Sequence, residues 1–313
     1  ESLNDFGTVQ YYGVDTFTTG IYKTWVGLGD INLATQISVF FLFFIFLIIF
    51  LQKKFFSNEK INLKTTFKRK LNLINSTSLK NSFLIIFCLI PITLGFIIPL
   101  MFLILNSIQA IEIFLLKETI YNTINTIFIA FFVSILIILL SLIINYSARI
   151  KQTKISIFFN KIASLGYAIP GSIIAIGILI PFTFFDNFFI NFFNTNFNLN
   201  LNTFFTGSIF VLCFAYIVRF FTISQTNIES SFQRIPRNID DTAKVLGKKP
   251  MLILFNIHIP LMSLSIMLAL TLIFIEIIKE LSATLILRPF NFDTLAIQVY
   301  EYASEEKIIE SSI

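Results

Sequence analysis

Apolar positions in this chain come in long runs and do not alternate. Six stretches carry no Asp, Glu, Lys or Arg: 31–52, 81–111, 119–148, 162–185, 187–218 and 250–275. Each holds a run long enough to cross ~30 Å of hydrocarbon as a helix, which takes about 20 residues. The Ile, Leu and Phe within them show no period of two, which argues against a β-barrel. Only 13% of the 313 residues are charged and 56% are apolar, whereas a soluble domain carries about 25% charged residues. The pattern therefore predicts an all-α polytopic membrane protein. At the start of the fifth run, "NFFINFFNTNFNLNLN" (187–202) reads as an Asn/Phe-rich outer loop, and the 40 Phe residues read as lipid-facing bulk.

Charge then orients the spans. Eighteen of the 23 basic residues fall in three segments, 52–82, 147–161 and 219–259. Six spans place all three on one side, and the excess of Lys and Arg in cytoplasmic loops makes that side the cytoplasm. The formal net charge of +5 thus reflects topology, and no soluble basic domain exists that would bind nucleic acid. Cys88 and Cys213 fall inside spans and read as small apolar side chains, with no disulfide or metal-ligand spacing.

Shifting the chain by 275 positions lays residues 1–25 over 276–300 without gaps. Glu1 meets Glu276, Asp5 meets Glu280, Phe17 meets Phe292 and Thr19 meets Thr294. Repeated halves are common in transporters, where the pathway forms between them. Together with a start that lacks Met, this predicts a fragment of a longer protein. Residues 1–52 would end a first half, 53–82 would be a cytoplasmic linker, and 83–313 would be a second half lacking its last span.

One polar stretch interrupts the apolar C-terminal region: "DDTAKVLGKKPMLILFNIHIP" (240–260). Asn238 suits a helix cap, with Asp240 and Asp241 in the first turn where the helix dipole favours them. Ile239, Ala243 and Leu246 give one apolar stripe. Gly247 suits the C-terminal cap and Pro250 the first residue of a following helix. The stretch predicts a short cytoplasmic amphipathic helix that lies on lipid, docks in a partner's groove or folds on its own bundle.

The spacing Asp241-Thr242-Ala243, three residues, Gly247, nine residues, Ile257-His258-Ile259-Pro260 resembles the EAA loop of permease subunits in binding-protein-dependent ABC importers. Asp241 stands where the family has Glu, Thr242 where it has Ala, and Ile259 where it has Leu. Segments 164–182, 279–306 and 5–30 are further similar to the fused-half permeases of ferric iron importers, whose relatives carry sulfate, thiamine, polyamines or phosphonate. The resemblance implies a type I importer permease fold in the bacterial inner membrane. It implies a cytosolic ABC ATPase dimer and a periplasmic or extracellular iron-binding protein as partners. It also implies coupling to the ATPase through Asp240, Asp241, Thr242, Ala243, Gly247 and Pro260.

No Walker-type phosphate loop occurs, so ATP is expected on a partner subunit, with no cofactor bound here and no catalytic residue. Hydropathy by itself also fits an ATP-independent secondary transporter. Glu276, Lys279 and Glu280 lie at helical spacing near the outer end of a span, and Glu1 and Asp5 take the matching places in the repeat. Charges at membrane depth line cavities or pair with one another. A ring of such carboxylates would suit a hard cation, and a plain helix end paired through Lys279 is the alternative. Pro170-Gly171 breaks helical regularity, which marks either a pathway lining or a close helix contact.

Overall fold

The computed structural model describes residues 4–56, 78–111, 117–150, 163, 165–197 and 202–312. Among them every regular element is helical. Two short helices, α1 (Gly7–Tyr11) and α2 (Phe17–Tyr22, continued by a π turn to Gly27), precede the long α3 (Ile31–Phe56). After residues 57–77, which lie outside the description together with most of the expected linker, α4 (Ser78–Ile92) runs through a π turn into α5 (Ile98–Gln109). Then come α6 (Lys117–Ile150), α7 (Gly171–Phe197) and α8 (Ile209–Arg234). The short α9 (Arg237–Val245) leads to α10 (Pro250–Ile253), a π turn over Leu254–His258, α11 (Ile259–Leu261) and α12 (Ser263–Ile278). Three helices finish the described chain: α13 (Ser282–Leu287), α14 (Leu295–Ser304) and α15 (Ile308–Ser311).

Among the described residues, five helical stretches are long and apolar enough to cross a membrane. The pair Pro250–Leu261 and Ser263–Ile278, bent by 77° at its break, makes a sixth when taken as one span. The protein is a multi-pass membrane protein. Its centre is α8, packed against α6 and α12 around Ile137, Leu212, Tyr216, Phe220 and Ile273. Buried polar side chains stitch these helices together. Asn145 Nδ2 donates to Gln225 Oε1 at 2.8 Å and Gln225 Nε2 returns a bond to Asn145 Oδ1 at 3.1 Å, a reciprocal amide pair between α6 and α8. Gln298 on α14 likewise meets Asn122 and Thr119 on α6. Such bonds hold because lipid offers the amides no competing partner. The span Lys80–Gln109, by contrast, buries none of its apolar window inside the chain.

The fourth and fifth runs divide differently from the sequence expectation. The helix Gly171–Phe197 carries most of the supposed outer loop, with Asp186 inside it. Asp186 is only 1% exposed, because its carboxylate accepts the backbone N–H groups of Phe204, Phe205 and Thr206 at 2.7–3.3 Å. Three donors compensate the buried charge, so a residue that looked like a span boundary instead folds the following loop back on its own helix.

Candidate functional site

Two groups of charged residues stand out, one on the short helix α9 and one around a cavity. The C-terminal end of α9 is a Schellman motif. The Gly247 N–H bonds the Lys244 carbonyl at 2.9 Å and the Lys248 N–H bonds that of Ala243 at 3.1 Å. Gly247 adopts φ +76°, a left-handed conformation that only glycine takes without strain. Pro250 follows as the first residue of α10. The N-terminal cap differs from expectation: Pro236 holds that position, with φ −59° and ψ 140°, and Asn238 lies within the helix. The fixed proline φ sets the entry into the helix, so no side-chain cap is used.

One side of α9 faces the bundle and the other stays open. Ala243 and Asp240 are buried, Ile239 is half-buried, and Asp241, Thr242 and Lys244 are exposed. Leu246 departs from the expected stripe, being 74% exposed beside Val245 at 88%. Asp240 also departs from the expectation that it shares surface contact with Asp241. Its Oδ2 accepts Arg149 Nε at 2.6 Å and its Oδ1 lies 2.5 Å from His258 Nε2. Asp241 remains at the surface, 3.5 Å from Lys244 Nζ. Pro260, outside this contact region, is exposed on α11 just before the 77° bend.

The second group lines a cavity of about 640 Å³. Asp5, Pro170, Glu276, Lys279 and Glu280 all border it, joined by Arg219, Ser282 and Asn4. It lies a full α12 length, about 24 Å at 1.5 Å per residue, from the bend below α11. Glu1 lies outside the described residues. The carboxylates do not form a bare ring. Glu276 pairs with Lys279 at 2.8 Å, Asp5 accepts the Thr8 N–H at 3.2 Å, and Glu280 is 6% exposed against Arg219 at 2.7 Å. Helix α12 ends at Ile278, so Glu280 leaves the face it was expected to share with Glu276. It accepts Ser282 Oγ and the Ala283 N–H instead, fastening the start of α13. Among the described residues no group of three or more His, Cys, Asp or Glu could hold a metal ion.

Gly171 explains the break before α7. A Cβ there would come within 1.8 Å of Arg219 Nη1 and 2.5 Å of Glu280 Oε1 and Ser282 Oγ. The Gly171 N–H, free at a helix start, donates to Asn4 Oδ1 at 3.1 Å. Arg219 itself was counted with the cytoplasmic basic residues. Its place eleven residues into α8, 4% exposed, was readable from the apolar flanks "VLCFAYIV" and "FF", which require a buried acid nearby.

No family model matches the chain. Over 172 residues it is 23% identical to an Fe(3+)-transport system permease protein of Haemophilus influenzae, a match covering 55% of this chain and 31% of that protein. The chain thus spans about a third of the length of this curated relative. Its fold superposes on a chain from the crystal structure of a bacterial alginate ABC transporter in complex with an alginate pentasaccharide-bound periplasmic protein. The TM-score is 0.57 at 16% identity, over 75% of this chain and 88% of the other. The chain has the fold of an ABC transporter permease. Within that permease fold, the loop that resembles the EAA motif is the one exposed as α9.

Proposed function

We propose that this protein is the membrane-embedded permease of an ATP-driven, binding-protein-dependent importer in the inner membrane. Helix α9 docks in a cytosolic ATPase, and the cavity between α3, α8 and the α12–α13 turn belongs to the translocation pathway. The observation that carries this reading is the open outer face of α9: Asp241, Thr242, Val245 and Leu246 are exposed on a short helix closed at both ends by proline and glycine signals. Apolar side chains this exposed at a polar bundle end fit a protein groove. ATP hydrolysis would then take place on the partner, and this chain would contribute geometry and differential affinity between two states.

Ferric iron is the proposed cargo, supported by the relative's name and by the EAA and flanking segments that resemble iron permeases. Sulfate, thiamine, polyamine or phosphonate carried by the same machinery is the second reading, favoured by the paired, nearly balanced charges of the cavity. The two halves proposed from the repeat are supported by placement: at the 275-residue offset, Gly7–Tyr11 falls inside Ser282–Leu287, and Lys23–Gly27 falls inside the range of Leu295–Ser304. Copurification in mild detergent tests the machinery. A nucleotide-binding subunit should accompany the parent protein and be lost from Leu246→Glu; its absence from the parent would favour a secondary carrier. Radio-iron uptake in a deletion strain tests the cargo. Asp5→Asn with Glu276→Gln should cut uptake at least tenfold while leaving copurification intact, and unchanged uptake would remove the cavity from the pathway.

A further inference from the structure

The inner side of α9 is fastened more firmly than a docking helix requires. Asp240 takes two bonds from two different parts of the bundle, Arg149 near the end of α6 and His258 at the end of the π turn, 91 and 18 residues away. Arg149 does more than pair. Its Nη1 donates to the Phe232 carbonyl, and its Nη2 donates to those of Ile235 and Pro236 at 2.9 and 3.3 Å. These carbonyls lie at the end of α8 and in the link into α9; those of Phe232 and Pro236 each also accept one backbone N–H, from Ile235 and Ile239 at 3.3 Å, so the arginine takes up acceptor capacity left at a helix end. The guanidinium stands 5.8 Å from the Phe232 ring. His258, fully buried, packs between Tyr146 at 5.6 Å and Phe232 at 5.3 Å. Tyr146 OH in turn donates to the Pro250 carbonyl at 2.6 Å, so the far side of the Gly247 turn is tied to α6 as well.

From this geometry we propose that Arg149, Asp240 and His258 form a rigid joint that fixes the angle of α9 on the bundle, with Arg149 and His258 as positioning residues. Resting on the reading that α9 meets an ATPase, the joint passes a push on the exposed face simultaneously into α6, α8 and the α10–α12 span. A helix held only by its two chain ends would absorb the same push by swivelling at Pro236 and Gly247. The planar fork of arginine is what allows one side chain to hold a carboxylate and three carbonyls together; a lysine ammonium cannot reproduce it.

The test measures the joint directly. Nitroxide labels replace the exposed Leu246 and Ile143 in the full-length chain, and pulsed electron resonance reads the distance distribution between them. The parent should give one narrow distribution, with Asp240→Asn and Arg149→Lys at least twice as wide. Lysine keeps the charge, so a purely electrostatic role predicts the parent width for Arg149→Lys, and that result overturns the proposal. His258→Gln, which leaves the Arg149–Asp240 pair in place, should widen the distribution by a smaller factor. It decides the matter if the other variants do not fold, and an unchanged width then overturns the joint. In proteoliposomes containing the copurified assembly, Asp240→Asn should keep the partner bound yet lower uptake per ATP hydrolysed at least tenfold. Parent-like coupling, or loss of the partner, overturns force transfer through the joint. If the parent brings down no nucleotide-binding subunit, the importer reading fails, while the label widths still judge the joint.

Discussion

Two arginine–carboxylate pairs inside the bundle, the buried Arg219–Glu280 and the part-buried Arg149–Asp240, are completed to different degrees. Arg149 spends all three nitrogens on Asp240 and on carbonyls at the end of α8. Arg219 meets Glu280 and, at 3.4 Å, Ser282, through Nη1 alone, and its Nε is buried without a partner among the described residues. The first pair sits under a surface helix. The second borders a cavity. Burying ions costs several kcal/mol each, which attraction offsets only when the remaining donors are also met. The comparison teaches that the α9 pair has the other donors of its arginine met by backbone carbonyls, whereas the cavity pair rests on a single nitrogen of its arginine.

Breaking the cavity pair on one side gives the largest expected effect. Glu280→Ala leaves Arg219 buried without its counter-charge, and thermal unfolding in detergent should show a loss of about 3–5 kcal/mol. Replacing both, Arg219→Met with Glu280→Leu, should recover most of that loss, because the cost lies in the unpaired ion. A mild effect of the single change would mean that water already reaches Arg219 and would erase the contrast with Arg149. Gly171→Ala comes next. Its Cβ collides with both members of the pair, and overpacking of this kind costs about 1–3 kcal/mol. The loss should shrink in the doubly substituted background but not vanish, because Ser282 Oγ remains 2.5 Å from the added Cβ. The smallest effect is expected at Gly247→Ala, where a Cβ meets open space but the left-handed backbone costs about 1–2 kcal/mol. Hydrogen exchange should quicken at the last amides of α9, with global melting nearly unchanged.

Much of the architecture was legible in the sequence, because apolar runs, proline and glycine signals are local. The spans of α3 and α6, the turn at Gly247 and the break at Pro170-Gly171 all follow from neighbours within a few residues, whereas α8 shares only residues 209–218 with the fifth apolar run. The pairing was not legible. Arg219 finds Glu280 across 61 positions and Asp240 finds Arg149 across 91, and no periodicity encodes which buried charge meets which. The same limit misplaced Asp186, whose partners lie 18–20 residues on in a folded-back loop. It also hid the orientation of Asp240, since both aspartates suit a first turn and only the surrounding bundle decides which one turns inward.

The wide turn Leu254–His258, with its i→i+5 bond from Ile259 to the Leu254 carbonyl, has a consequence for numbering along the helix. An ordinary helical turn would seat the same bond one residue sooner. If the unchanged sequence wound as an ordinary helix there, the residues after the turn would sit about 100° further round the axis, which would carry the imidazole away from its carboxylate without altering any side chain that touches it. The grip on the surface helix is therefore set by a count of backbone units as much as by the chemistry of the three residues that close it.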